Sequence, residues 1–163
     1  NVHTRRCVVG WPVIVFVGLF LWHEIEEYFV LVPWLDDNTA RLPEPVRHIN
    51  MTRTHFTVIA TEELVLLIAV AIWCQPVWIA AIMVAYTIHL VIHCGQLLFT
   101  YLKRIPLRLW SAPIQLPIMI WLITITPTCG TVGLPLASLV MVAAMGLNLV
   151  AMHWITSKTL KHQ

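Results

Sequence analysis

Long apolar stretches, broken by short segments rich in proline and charge, run the length of this chain. Five are long enough to cross a hydrocarbon core of about 30 Å: residues 8–32, 54–73, 77–100, 109–127 and 132–155. The first break, from Pro33 to Arg53, carries Pro33, Pro43 and Pro45 among Asp36, Asp37, Arg41, Glu44 and Arg47. Prolines and charges at that density stop helices and favour an aqueous or interfacial loop, so the first helix is expected to end at Pro33. Cys74-Gln75-Pro76, Lys103-Arg104-Ile105-Pro106 and Pro127-Thr128-Cys129-Gly130 make the remaining breaks. The pattern predicts an all-α, polytopic transmembrane bundle of about five spans, with residues 1–163 as a single domain.

Five spans put the termini on opposite sides. The first loop, the third loop and the C-terminus then share Arg41, Arg47, Arg53, Lys103, Arg104, Arg108, Lys158 and Lys161, against Arg5 and Arg6 opposite. Positive charge stays in the cytoplasm, so the C-terminus is expected inside and the N-terminus outside. Trp34, Trp110 and Trp154 fall at the inner interface and Trp11, Trp73 and Trp78 at the outer one, as aromatic belts do. On this layout the polar groups of four helices meet at one depth in the cytoplasmic half: His23 to Glu27, then His55, Glu62 and Glu63, then His89 and His93, then His153.

Composition agrees. Charged residues make up 11% of the chain and mean hydropathy is +0.80, where a soluble domain carries about a quarter charged residues. The formal charge of +2 is small and the basic residues sit at span ends, which gives no footprint for nucleic acid. The chain opens on Asn1 without Met, which reads as a processed or incomplete start. Residues 8–22 imitate a signal-peptide core, but no small-residue cleavage site follows, so the segment is read as a retained helix. The bilayer assigned is a bacterial inner membrane.

The carboxylates change the picture. Glu24, Glu26, Glu27, Glu62 and Glu63 lie inside apolar spans that contain no Lys or Arg. Each costs roughly 2.5–3.5 kcal/mol at mid-membrane if left unpaired. On a helix, residues three, four or seven apart share a face, so His23, Glu26 and Glu27 are expected to point one way. Tyr86, His89, His93 and Gln96 form one polar stripe on another helix. Imidazole and carboxylate together suit iron, zinc or manganese. Such a stripe also serves as hydrogen-bonding glue between membrane helices. Three carboxylates in the four residues from Glu24 to Glu27 repel one another, so either desolvation keeps some of them protonated or a metal holds them, and the metal is the preferred reading.

Cys7, Cys74 and Cys129 map to the outer side, where one disulfide among them is possible, and Cys94 reads as a buried structural thiol. No pair has the C-x-x-C spacing of a zinc site.

The motif His23-x-x-Glu26-Glu27, late in the first span, resembles the bacterial HXXEE family of small membrane proteins. The likeness extends loosely from His89 to Pro117, through Arg108-Leu-Trp-Ser-Ala-Pro113. The resemblance implies a shared architecture and a shared site, and no activity.

Three functions compete. The first is a membrane metalloenzyme, with two irons, that hydroxylates or desaturates a lipophilic small molecule, its reductant coming from a redox partner. His23, Glu26, Glu27, His55, Glu62, Glu63, His89 and His93 are the candidate ligands. Glu24 and Tyr86 are the catalytic candidates, Tyr86 orienting the ligands with Gln96. The chain lacks the His-x-x-His-His boxes of membrane desaturases. The second is an intramembrane zinc hydrolase, with His23 and Glu27 as ligands and Glu24 activating a metal-bound water. The third is a proton or metal carrier, or a small subunit of a larger membrane complex.

Overall fold

The computed structural model describes residues 10–44 and 51–159. Arg5, Arg6, Cys7, Pro45, Arg47 and Lys161, which entered the reading of topology and disulfides, lie outside the described residues. Among the described residues the chain is helical, without strands. Helix α1 (Trp11–Glu26) runs through a π-helical turn (Glu27–Leu31) into α2 (Val32–Asn38). Helices α3 (Arg53–Trp73), α4 (Pro76–Leu102), α5 (Ser111–Ile125) and α6 (Leu134–Thr159) follow. Helices α3, α4 and α6 are each long and apolar enough to cross a membrane, the mark of an integral membrane protein, and α5 is a shorter apolar helix.

The first helix does not stop at Pro33. It continues to Asn38 and ends in a 3₁₀ turn, Thr39–Arg41. In a regular helix the Pro33 ring would crowd the carbonyl one turn back. The preceding turn is widened instead, the Val32 N–H bonding the Glu27 carbonyl five residues earlier, and Pro33 then sits in the first turn of α2, where its missing N–H is tolerated. At the far end Asn38 Nδ2 and Thr39 Oγ1 donate to the carbonyls of Trp34 and Leu35 at 2.9 and 2.6 Å. Those side chains supply partners that a fraying helix end lacks.

Helix α4 is the centre of the bundle. The most apolar window of α4 is 56% buried, against 17% for α3 and 11% for α6. It packs on α3, α5 and α6, while α1 packs on α5. Ala80, Ala81 and Ala85 are buried on α4, and small residues there let neighbouring backbones approach closely. The core joins Phe16 and Phe20 of α1, Leu67 of α3, Met83, Tyr86 and Leu90 of α4, and Met119 and Leu122 of α5. Large apolar side chains remain exposed on the outward faces, such as Ile14, Ile72, Leu98 and Leu147, as lipid-facing surfaces require.

One end of the bundle is stapled at the α3–α4 and α5–α6 turns. Gln75 Oε1 accepts from the Thr131 N–H and Oγ1 at 2.9 and 3.2 Å, and the Val77 N–H donates to the Cys129 carbonyl at 3.3 Å. A Cβ on Gly130 would stand 2.3 Å from Val77 Cγ1, so only glycine permits this approach. Cys129 is disulfide-bonded, and Cys74 and Cys94 are free thiols, which removes Cys74 from the pairing considered from sequence.

Candidate metal centre

Two helical pairs, each four residues apart, face one another. His23 and Glu27 come from α1 and the start of the π turn, His89 and His93 from α4. A spacing of four places both members on one side of their helix. Glu27 Oε1 lies 2.7 Å from His93 Nε2, 3.3 Å from His23 Nε2 and 3.9 Å from His89 Nε2. His89 Nε2 is 3.3 Å from His23 Nε2 and 2.9 Å from His93 Nε2. His23, Glu27 and His93 are buried, and His89, with 38% of its side chain exposed, leaves one side of the cluster open.

Four donor atoms within 4.8 Å of one another have the dimensions of a single metal site. Ligands about 2.05 Å from a tetrahedral ion stand about 3.3 Å apart, in the middle of the separations here. Protons alone do not satisfy the cluster. His89 Nε2 carries either one proton or one lone pair, so it bonds only one of the two nitrogens beside it. Glu27 Oε1 lies within 3.9 Å of all three imidazole Nε2 atoms, and His93 Nδ1 is buried without a hydrogen-bond partner among the described residues. A cation takes all four lone pairs at once.

Ser111, the first residue of α5, orients the cluster. Its Oγ lies 2.7 Å from His23 Nδ1. A proton on Nδ1 donated to Ser111 leaves the Nε2 lone pair facing the other donor atoms, the arrangement seen in metal-binding histidines. Glu26, by contrast, turns away from the cluster. Its Oε1 and Oε2 accept from the backbone N–H groups of Trp110 and Ser111 at 3.0 and 2.7 Å. It caps α5, where a negative charge meets the positive helix end. The shared face expected for His23, Glu26 and Glu27 therefore splits. Relative to His23, Glu26 and Glu27 lie on opposite flanks about 100° apart, and α1 sits where one flank meets α5 and the other α4.

The remaining expected ligands are placed elsewhere. His55 spends both ring nitrogens: Nδ1 lies 2.8 Å from Thr52 Oγ1, and Nε2 donates to the Thr156 carbonyl at 3.0 Å. That ties the start of α3 to the end of α6. Glu62 Oε2 accepts from Asn148 Nδ2 at 2.8 Å, a second α3–α6 tie. His153 is half-buried and outside the cluster. Glu63 lines a cavity of about 300 Å³ between α1, α3, α4 and α6. Glu24 is half-buried, in electrostatic reach of Glu27 and Glu63.

Tyr86 sits between cluster and cavity. Its ring packs on those of His23 and His89, with centroids 5.9 and 6.0 Å away, and it also lines the cavity. Its hydroxyl donates to Gln115 Oε1 at 2.8 Å, and Gln115 Nε2 donates to the Leu19 carbonyl at 3.0 Å. Tyr86 therefore braces the cluster by packing, with its hydroxyl committed to α5. Gln96 is exposed. Ser111, Gln115 and Asn148 carried no mark in the sequence as site residues. The only local hint was that Ser111 falls within Arg108–Pro113.

The structure also explains the motif His23-x-x-Glu26-Glu27: two of its residues converge with the α4 histidines and the third docks the helix that orients the first. No curated protein and no solved structure matches the chain. The model of a family described as proteins of unknown function with an HXXEE motif matches residues 14–122, more than half of the chain and all four converging residues. The chain belongs to that HXXEE family.

Proposed function

We propose that this protein is a membrane-embedded, metal-dependent enzyme built on one divalent ion held by His23, Glu27, His89 and His93. The convergence of three Nε2 atoms and one carboxylate oxygen within 4.8 Å carries the reading. It favours one ion over two, because Glu26, His55 and Glu62 are engaged with other partners.

Iron is the ion preferred. Four protein donors fill a tetrahedral zinc site, which in catalytic zinc proteins keeps a position open, whereas a six-coordinate iron retains two. The side left open at His89 and the apolar cavity beyond Tyr86 suit an oxidation of a lipophilic molecule. In a hydroxylation, a C–H bond is replaced by C–OH. Dioxygen supplies that oxygen atom, and its second atom leaves as water after taking two electrons and two protons. The electrons come from a redox partner. Five spans, counting the continuous run from Trp11 to Leu31 as the first and α5 as a short fourth, would put the centre in the cytoplasmic half of a bacterial inner membrane, where such a partner reaches it.

A zinc hydrolase is the second reading, favoured by the spacing of His23 and Glu27 as ligands with the Glu24 carboxylate nearby. The two part in a comparison of lipid extracts from cells expressing the wild type or His93→Ala. The oxidation reading expects species one oxygen heavier, or two hydrogens lighter, that require His93. Free acids and alcohols in their place would assign hydrolysis, and identical extracts from metal-loaded protein would contradict both.

A further inference from the structure

The cavity between α1, α3, α4 and α6 has a composition that selects its occupant. Its walls are apolar side chains, Leu67 among them, with three polar residues, Glu63, Tyr86 and Asn148. Two of those are engaged: Tyr86 with Gln115, and Asn148 with Glu62. Glu63 makes no hydrogen bond or ion pair with the described residues, and no lining residue carries a positive charge. A carboxylate held in an apolar wall without a counter-charge is costly unless the occupant supplies one.

The rings beside it point to the same chemistry. Phe16, Phe20 and Tyr86 pack as a group, the Tyr86 centroid lying 5.4 and 5.8 Å from the two phenylalanines. Aromatic faces attract ammonium groups, more strongly once these are desolvated. The volume of about 300 Å³ is roughly twice that of an apolar cavity that accommodates benzene, which leaves room for a chain or ring system of about a dozen carbons. Met141 and Met145 make one wall adaptable, as unbranched thioethers do.

We infer that this cavity binds a lipophilic amine, its ammonium group against Glu63 and the aromatic rings and its hydrocarbon part along α3 and α6. The inference deepens the enzymatic reading above by naming a substrate class, yet the pocket contains none of the four metal ligands and does not need the ion to form. Across Tyr86, bound substrate would lie next to the metal cluster without displacing a ligand.

The test is equilibrium binding of radiolabelled decylamine, decanol and decanoate to the full chain in zwitterionic lipid nanodiscs, with empty discs subtracted, before and after chelator treatment. Decylamine is expected to bind at least roughly tenfold more tightly than decanoate, since opposite charges attract and like charges repel at close range, with decanol between. Glu63→Gln, which keeps the shape, is expected to abolish that ranking. Chelator treatment is expected to leave it intact, so failure of the metal reading and failure of this one are separable. Decanoate binding as tightly as decylamine, or a ranking unchanged in Glu63→Gln, would overturn the inference, as would amine binding no greater than to empty discs. Leu67→Trp, which fills the cavity from an apolar wall, checks the location: amine binding should fall in it while metal content is retained.

Discussion

Glu26 and Glu27 are neighbours in sequence with different partners: Glu26 accepts from two backbone N–H groups at the start of α5, while Glu27 turns its Oε1 to within 2.7 Å of His93. One helical step separates the docking contact from the histidine cluster. The widened turn begins at Glu27, and such turns are frequent at functional sites.

Removing the docking contact should therefore loosen the fold before it removes the ion. Glu26→Ala leaves two N–H groups without acceptors and is expected to lower stability by about 1–3 kcal/mol. Thermal unfolding of the detergent-solubilised protein measures this. An unfolding temperature equal to that of the wild type would show that the cap is dispensable.

If His23 holds the proposed ion, Ser111 acts on it through the His23 ring. Ser111→Ala removes the partner of Nδ1, and loss of such a contact typically weakens metal affinity 10–100-fold. Competition with a chromogenic chelator should show a shift of about that size, with helical content unchanged. Unaltered affinity would mean that the 2.7 Å contact does not orient the ring.

Much of this is legible in the sequence itself. Spacings of four marked His23 with Glu27 and His89 with His93, because helical period alone decides which residues share a face. The apolar runs marked all of the main helices. What stayed hidden depends on which helix stands next to which. Glu26 shares a broad face with Glu27, and only the position of α5 decides that it becomes a cap. His55 and Glu62 look like ligands at the right depth, yet their partners, Thr156 and Asn148, lie on α6, whose placement no local pattern encodes. Ser111 lies 88 residues from His23. Pro33 reads as a terminator because the widened turn that accommodates it has no sequence signature.

The contrast between clustered and bracing histidines gives a third prediction. His55→Ala breaks the α3–α6 tie and is expected to cost about 1–3 kcal/mol of stability while metal content stays at the wild-type level. Metal analysis and thermal unfolding on the same sample check both halves. Loss of the ion in His55→Ala would draw that residue back into the ligand set.

Binding of an ion to the folded state should also stabilise it. At a free metal concentration about 100 times the dissociation constant, the gain is about 2.7 kcal/mol. Chelator treatment of the wild type should lower its unfolding temperature, and re-addition of metal should restore it. In Glu27→Ala neither step should move the transition; a chelator-sensitive transition there would place the ion elsewhere.

The most direct measurement is the metal content per chain of the purified protein by elemental analysis, for the wild type beside His93→Ala. The account predicts one divalent ion, iron by preference, in the wild type and close to none in a folded His93→Ala. Two ions per chain, no ion in either protein, or an undiminished ion in the variant would contradict a single centre held by His23, Glu27, His89 and His93.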